Sequence, residues 1–203
     1  MDVFEVINTT RAMRRLKADP VPHELIWKVL DAAIRAPSGG NRQPWSFIVV
    51  RDPETKAQIG EWYLEAWNAS YGQARETVTA SADGARMFSS GDHLANHLAE
   101  VPVLIIAAVK VGAVGTSPSG SYIYPAVQNL MLAARALGLG TTLTTLHRVH
   151  EADVKRLLGI PDDMETLALI PLGWPKGKFG TGVRRPVEEV TYWEQWGEVR
   201  DRK

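Results

Sequence analysis

Three arginines lie within five positions near the start of the chain, in the segment RAMRR at 11–15. A guanidinium group donates paired hydrogen bonds to a phosphate and stays charged when it is partly buried. A second pair, Arg184 and Arg185, stands before Pro186. Composition alone would make all of these solvated surface arginines. The apolar helical pattern soon after RAMRR, and the Gly-rich approach and proline around Arg184, favour a positioned anion site instead.

The stretch APSGGNRQPW at 36–45 has the residue types of a second ligand-binding wall. Ser38 and Gly40 can bring backbone N–H groups close to a ligand, because no large side chain stands in the way. Asn41 and Gln43 carry both donors and acceptors, which suits the polar edge of a flat heterocycle. A tight helix-to-strand turn would explain the prolines and glycines but not the Ser, Asn and Gln together. The stretch therefore predicts a rigid, preorganised loop.

Several other chemistries are excluded or disfavoured by the sequence. The chain has no cysteine, which removes disulfides, thiolate nucleophiles and Cys-based metal sites. GLGTTL lacks the third glycine of a dinucleotide fingerprint, and neither a phosphate loop nor a nucleophile elbow is present. His93 and His97 are spaced to share one helical face for a metal, but Leu94 stands where a zincin needs its Glu. A surface or cleft role is favoured for this pair.

Charge and hydropathy indicate an ordinary globular protein. Lys plus Arg and Asp plus Glu number 23 each, so no global field favours nucleic acid or anionic lipid. No stretch approaches the roughly 18 uninterrupted apolar residues of a membrane span. The opening MDVFEVINTT contains two acids and no apolar core of a signal peptide. We therefore expect a cytoplasmic protein with no membrane and no nucleic-acid partner.

The hydrophobic pattern predicts a layered α+β fold in one domain spanning 1–203. The predicted helices are 2–9, one opening at Pro22 and ending at Pro37, a mostly helical 54–90, a segment around 91–100, Tyr124–Leu137 and Glu151–Leu158. The predicted strands are Phe47–Val50, Val103–Val111, TTLTTL at 141–146 and Leu167–Leu172. VGAVGTSPSGS is predicted to be a mobile connection.

Two regions are expected to depart from the main body. Residues of about 54–90 form a variable helical lid or excursion, and about 183–203 form an extended C-terminal arm. Four aromatic residues in the first region fit either a lid or core packing, and both interpretations stay open: Trp62, Tyr63, Trp67 and Tyr71.

Five blocks, taken together in order and spacing, carry a family resemblance. They are TTRAMRRLKADPVP, APSGGNRQPWSFIVV, YPAVQNLMLAARALGLGTTLTT, LIPLGWPKG and VRRPVEEV. They resemble the FMN-dependent nitroreductase family over most of the chain, except about 54–90. The resemblance implies a central, mostly antiparallel sheet flanked by helices. It also implies an intertwined homodimer with two FMN sites at the interface.

Carried across residue by residue, the resemblance implies a set of cofactor-binding positions. They are Arg11, Ala12, Met13, Arg14, Ser38, Gly40, Asn41, Gln43, Leu143, Thr144, Thr145 and Arg184. The arginines would reach the FMN phosphate or ring edge, the loop would line the flavin or face the other subunit, and 143–145 would lie against the ring. Thr10 and Ala12 depart from the Arg and Ser that many members carry there. The helix around Gln128–Leu137 would form much of the dimer core, and the arm would wrap the partner.

The implied activity is hydride transfer from NADH or NADPH, through FMN, to a small electron-poor acceptor such as a nitroaromatic or quinone, by a ping-pong mechanism. No side-chain acid or base is obligatory, so no catalytic residue is assigned. Three specialised activities are alternatives on the same scaffold: reductive dehalogenation, enone reduction and oxygen-dependent flavin destruction. A non-catalytic flavin-binding or sensor protein is a further alternative, and an arginine-mediated nucleic-acid module is a weaker one. The acceptor, the choice of nicotinamide and a deazaflavin in place of FMN stay open.

Overall fold

A computed structural model of the chain describes residues 1–72, 75–112 and 120–200. Within these ranges four strands form one antiparallel sheet in the order β1-β2-β4-β3. The strands are β1 Trp45–Val50, β2 Val103–Lys110, β3 Gly140–Thr141 and β4 Met164–Gly173. The helices are α1 Val3–Thr9, α2 His23–Ala33, α3 Pro53–Tyr71, α4 Arg75–Val78, α5 Ala82–His97, α6 Gly120–Ala136 and α7 Glu151–Leu158. The predicted α+β class with an antiparallel sheet is confirmed.

The centre of the sheet is buried on both faces. Every residue of β2 from Val103 to Val109 is fully buried, as expected for a β-branched and alanine-rich strand covered by helices. Alternate side chains point to opposite faces, so Ile105 packs with α2 and α6 while Ile106 packs with α3 and α5. The fold therefore has one apolar layer on each side of the sheet.

Local chemistry accounts for several element ends. The side chain of Asp52 accepts a hydrogen bond from the N–H of Thr55 at 2.8 Å, and Pro53 occupies the first turn of α3. Helix α7 ends at Gly159, whose φ of 63° is the left-handed conformation that favours glycine. None of the helices in the described ranges combines the length and the hydropathy needed to cross a bilayer.

Most predicted elements are present, and one is corrected. The helical character of 54–90 is confirmed, and so is that of 91–100, where α5 runs to His97 and a 3-10 helix follows over Leu98–Glu100. The predicted strand at 141–146 was wrong in extent, because only its first residue belongs to a strand. Thr144 makes one isolated pairing with Leu169, and a 3-10 helix follows over Leu146–His150. Most of VGAVGTSPSGS, and the last residues of the arm, lie outside the described residues.

The four aromatic residues that fitted either a lid or core packing differ in burial. Tyr63 and Trp67 are 3% and 9% exposed and belong to the core beneath the sheet, whereas Trp62 is half-buried and Tyr71 is exposed. The described part of the arm is mostly exposed, with a 3-10 helix over Val187–Val190.

Candidate functional site

The segment at 11–17 is fastened to the sheet on both sides, and we call it the arginine segment. Its Met13 N–H donates to the carbonyl of Thr141 in β3 at 2.8 Å, and Thr141 pairs with Leu172 near the end of β4. Backbone bonds also join it to the chain that follows β4. Met13 and Leu16 are buried, which leaves the neighbouring arginines on the outward side. The sheet therefore fixes the backbone from which these guanidinium groups extend.

These arginines line a cavity of about 240 Å³, which we call the arginine cavity. Its lining residues are Arg11, Ala12, Met13, Arg14, Arg15, Ser90, Gly177 and Lys178. Four of these described residues are cations and none is acidic. Arg11 and Arg14 have no carboxylate partner in any of the ion pairs found in the described ranges. An electropositive cavity without internal compensation is suited to a phosphate or another anion.

A second cavity of about 240 Å³ adjoins Arg14, and we call it the threonine cavity. Its lining residues are Arg14, Tyr63, Trp67, Tyr71, Gly91, Leu143, Thr144, Thr145 and Leu146. Arg14 lines both cavities, so one half-buried guanidinium lies between a cationic space and a space whose other described lining residues are uncharged. An elongated ligand with an anionic end and a flat ring fits this pair of spaces.

The aromatic wall of the threonine cavity depends on a glycine. A Cβ placed on Gly91 would lie 2.4 Å from Cη2 of Trp67, a distance that no packed side chain tolerates. The Trp67 ring also contacts the ring of Tyr71, with centroids 4.5 Å apart. Gly91 in the middle of α5 therefore allows the indole to pack against the helix.

Thr144 is held by both its backbone and its side chain. Its N–H and its carbonyl exchange hydrogen bonds with Leu169 of β4, at 3.0 and 2.9 Å. Its hydroxyl lies 2.9 Å from the phenolic oxygen of Tyr63. Burial raises the pKa of Tyr63, although the Thr144 hydrogen bond and the charge of Arg14 oppose that rise. Tyr63 therefore stays protonated at neutral pH.

The loop at 38–43 is closed by its own hydrogen bonds. Ser38 Oγ accepts from the N–H of Gln43 at 3.0 Å, and the Gln43 amide donates to Asn41 Oδ1 at 3.0 Å. Gly40, Asn41 and Gln43 have φ values of 60°, 52° and 48°, the left-handed region that costs a non-glycine residue about 1–2 kcal/mol. The loop is thus bent and internally bonded, with Asn41 and Gln43 exposed.

The loop and the arginine segment lie at opposite corners of the sheet. The loop ends at Pro44, whose carbonyl accepts from Lys110, and Lys110 pairs with Met164 at the start of β4. The arginine segment lies beside the pair containing Leu172. The distance between these levels of β4 is about 26 Å, and β1 and β3 are about 14 Å apart across the sheet. Among the described residues that line the two cavities, none belongs to the loop.

Arg184 lines neither cavity. Its side chain is exposed, and its guanidinium donates to the carbonyl of Val183 at 2.9 Å. Within the described ranges, neither cavity is lined by residues of the arm.

The histidine pair on α5 is engaged by other groups. The rings of His93 and His97 stack with centroids 4.1 Å apart, and His97 Nδ1 bonds to the carbonyl of His93 at 2.8 Å. Arg15 donates to His93 Nδ1 at 3.3 Å, and burial together with that positive charge lowers the pKa of His93. A cation beside this nitrogen opposes the binding of a metal ion there.

His147 is a buried group that the sequence did not single out for a role. It is 1% exposed, and neither ring nitrogen has a hydrogen-bond partner in the part of the chain that the structure describes. Burial lowers its pKa to about 4. It lies three residues after Thr144, in the turn that forms one wall of the threonine cavity.

Two further contacts near the site join residues far apart in the chain. Arg135 is 8% exposed, bonds to Thr9 Oγ1 at 2.9 Å and stacks on Phe179 at 4.1 Å from the ring centroid. The Tyr63–Thr144 contact is equally long-range. No spacing rule links such partners, although Arg135 is a visible irregularity as the one charged residue of helix α6.

Comparison with known proteins gives one family. The family described as "Nitroreductase family" matches residues 7–174. The NADH dehydrogenase of Thermus thermophilus is 32% identical, over 90% of this chain and 91% of that protein. Iodotyrosine deiodinase 1 of Mus musculus is 30% identical over 86% of this chain, but the match covers only 62% of the deiodinase.

A solved structure shares the fold at lower identity. It is a nitroreductase with bound FMN from Desulfitobacterium hafniense, with a TM-score of 0.72 and 20% identity, covering 96% of this chain and all of that one. The family match extends from α1 to the end of the sheet and includes the arginine segment, the loop and Thr144. The chain therefore belongs to the nitroreductase family.

Proposed function

We propose that this protein is an FMN-dependent oxidoreductase. It takes hydride from NADH or NADPH and delivers it to a small electron-poor acceptor such as a nitroaromatic or a quinone. The observation that carries the proposal is the position of Arg14, which joins the cationic arginine cavity to the threonine cavity. Family membership and the FMN bound to the Desulfitobacterium nitroreductase support the choice of cofactor.

The residues present fit the phosphate end of FMN. Arg11, Arg14 and Lys178 provide positive charge in the arginine cavity, and none of the described residues that line it is acidic. A phosphate there would relieve the mutual repulsion of these cations and accept charge-assisted hydrogen bonds. We assign the phosphate to this cavity, with Arg11 as its main side-chain ligand.

The residues also fit the flavin ring. Leu143, Thr144 and Thr145 would lie against it in the threonine cavity, and Arg14 would lie near its polar edge. Bound FMN supplies the hydride chemistry, while the chain binds it, orients it and shields one side from water. A fixed guanidinium stabilises negative charge that develops nearby on reduction. The aromatic wall of Tyr63 and Trp67 favours a flat acceptor.

We further propose a homodimer in which each site is completed by the other copy. The loop at 38–43 is too far from the arginine segment to contact the same flavin ring within one chain. The exposed arm carries apolar side chains at Val183, Trp193 and Trp196, which are 96%, 45% and 89% exposed. A cavity of about 480 Å³ lies beside β1, which is an edge strand in the described part of the chain, and offers apolar surface that includes Trp27. These surfaces support a large interface between two copies.

The cofactor proposal is tested by absorbance. The purified protein is mixed with FMN, freed of excess flavin and titrated anaerobically with NADPH and, separately, NADH. We expect a bound flavin spectrum that bleaches with at least one nicotinamide and recovers when a quinone or nitroaromatic is added. A protein that retains no FMN contradicts the proposal. A flavin that stays oxidised supports a binding or sensor protein instead.

The dimer proposal is tested by sedimentation equilibrium of the FMN-loaded protein. We expect twice the mass of one chain, and loss of FMN when the dimer dissociates on dilution. A monomer that binds FMN tightly would show that one chain holds a complete site.

Reductive dehalogenation is the second candidate, because iodotyrosine deiodinase is among the relatives at 30% identity. The threonine cavity argues against a halogenated amino acid. Arg14 is its one charged lining residue in the described part of the chain, so no carboxylate there can bind an ammonium group. Turnover of 3-iodotyrosine and of an iodophenol without the amino-acid group separates the cases. We expect the protein to favour quinones over both halogenated compounds.

A further inference from the structure

Two hydroxyl groups meet at the wall of the threonine cavity. The phenolic oxygen of Tyr63 and Oγ1 of Thr144 are 2.9 Å apart, and both residues line the cavity with Arg14. Each hydroxyl has one hydrogen to donate. Their mutual bond uses one of the two hydrogens, so the pair keeps one donor for another acceptor.

Both backbone polar groups of Thr144 are already hydrogen-bonded to the sheet. Its N–H and carbonyl are both bonded to Leu169, which is fully buried in β4. The hydroxyl is therefore the polar group of Thr144 that can reach a bound ligand. Threonine populates more than one χ1 rotamer, so something else must fix the direction of that hydroxyl.

Tyr63 is suited to fix it. Its ring is packed within the core beneath the sheet and is 3% exposed, so the phenol cannot swing away. Burial keeps the phenol protonated, and a phenol is a better donor than an aliphatic alcohol. Either hydroxyl can be the donor in this bond, and Tyr63 is the one better suited to donate. With Tyr63 donating to Thr144 Oγ1, the Thr144 hydrogen would be free for an acceptor in the cavity.

We propose that Tyr63 is a positioning residue that holds the Thr144 hydroxyl as a hydrogen-bond donor to the bound flavin. This inference rests on the proposed function and adds to it a pair of residues that act as one unit. Neither residue transfers hydride. The pair orients the ring and favours its more electron-rich, reduced form by donating to it.

The test uses the FMN-loaded protein and two readouts besides turnover. These are the FMN dissociation constant, from quenching of flavin fluorescence, and the two-electron midpoint potential. Tyr63→Phe removes the phenol and keeps the ring. Thr144→Val removes the hydroxyl and keeps the branched shape, while Thr144→Ser keeps the hydroxyl. Tyr124→Phe is the matched control, because it removes the hydrogen bond from a tyrosine of α6 to the Leu167 carbonyl, outside the cavity.

We expect Tyr63→Phe and Thr144→Val each to weaken FMN binding about three- to tenfold, the effect of one hydrogen bond. Both should shift the midpoint potential to a more negative value. Thr144→Ser keeps the hydroxyl and should lose less FMN affinity than Thr144→Val, while Tyr124→Phe should retain wild-type behaviour. The double variant should resemble Thr144→Val, because Tyr63 acts through that hydroxyl.

Wild-type affinity and potential in Tyr63→Phe would overturn the inference, and so would strictly additive effects in the double variant. Failure of the wild-type protein to bind FMN would instead overturn the proposed function, so the two failures are distinguishable. A fall in thermal stability with unchanged flavin properties would show that the phenol has only a packing role.

Discussion

The arginine segment and the loop at 38–43 are both rigid, but for opposite reasons. The arginine segment is extended and takes its shape from the sheet, through Met13 bonded to Thr141 and Lys17 bonded to Trp174. The loop takes its shape from itself, through the Ser38–Gln43 bond and a run of left-handed residues. One wall of the proposed site is thus held by long-range contacts and the other by local ones.

The difference predicts how each wall responds to change. Damage to the core or to the sheet edge should displace the arginines and leave the loop intact. Damage to a single loop hydrogen bond should relax the loop and leave the fold intact. Acid and single substitutions can separate the two responses. The largest loss in the free energy of unfolding is expected from acid.

Acid should destabilise the folded protein, and with it the arginine segment, through protonation of His147. The pKa of this histidine is about 4 in the folded protein and about 6.5 when unfolded, so the unfolded chain binds more protons between these values. The contribution of His147 to stability is therefore fully present above about pH 6.5 and is lost as the pH falls towards 4. We expect the free energy of unfolding to drop by about 2–3 kcal/mol between about pH 7 and about pH 4.5. Urea unfolding at the two pH values measures it.

The variant His147→Leu isolates this contribution, because leucine has a similar volume and no proton to gain. Its free energy of unfolding should fall less over the same interval, by about the amount assigned to His147. Equal losses in the two proteins would assign the acid sensitivity to carboxylates instead. The loop hydrogen bonds join Ser38, Asn41 and Gln43, none of which titrates, so the loop should not respond.

The sequence predicted the loop at 38–43 better than the arginine segment. The prolines, glycines and short polar residues at 36–45 predict a turn from neighbouring positions alone. The structure shows the expected bent and internally hydrogen-bonded loop. Helix α7 and its end at Gly159 were predictable for the same reason. The role of the loop as a flavin wall stays a prediction.

Sequence-based expectations fail where tertiary contacts override local pattern. TTLTTL has strand composition, but the carbonyl of Thr141 bonds to Met13 and the chain leaves the sheet. Gly91 lies inside α5, where the Trp67 ring packs against it from a helix 24 positions earlier in the chain. The Tyr63–Thr144 pair is separated by 81 residues, so no local pattern links them.

Removing Arg11 should have the largest effect on cofactor binding. Arg11→Ala takes away a charge-assisted contact, which is worth about 1.5–3 kcal/mol, so the FMN dissociation constant should rise about 10- to 150-fold. Thermal stability should change little, because Arg11 is exposed. Arg184→Ala should also weaken FMN binding if the second copy brings the arm to the site. Arg86→Ala, on α5 and paired with Asp83, is the control. Unchanged FMN affinity in Arg11→Ala would contradict the assignment of the FMN phosphate to the arginine cavity.

A methyl group at Gly140 should separate the arginine segment from the sheet. Its Cβ would lie 2.9 Å from both Leu16 Cδ2 and Met13 Cβ, so the segment must shift outward. We expect Gly140→Ala to cost about 1–3 kcal/mol and to lower the melting temperature by about 3–10 °C. FMN affinity should fall with it, because the arginines move. Gly60→Ala, whose nearest contact would be Ala99 at 3.4 Å, is the control and should melt no lower than the wild type. Wild-type FMN affinity in Gly140→Ala would mean that the arginines do not depend on the sheet edge.

The smallest effect is expected from the loop, where Ser38→Ala removes the acceptor for the Gln43 N–H. The loop is exposed, so water replaces the lost partner and stability should fall by no more than about 0.5–1.5 kcal/mol. The left-handed conformation of Gln43 would lose its support, and the loop would relax towards ordinary turns. We therefore expect FMN affinity to fall a few-fold while the melting temperature barely changes, whereas Gly140→Ala should lower both. Hydrogen exchange at Gln43 should accelerate, whereas exchange at Met13 should not. Equal acceleration at both amides would show that the two walls are coupled.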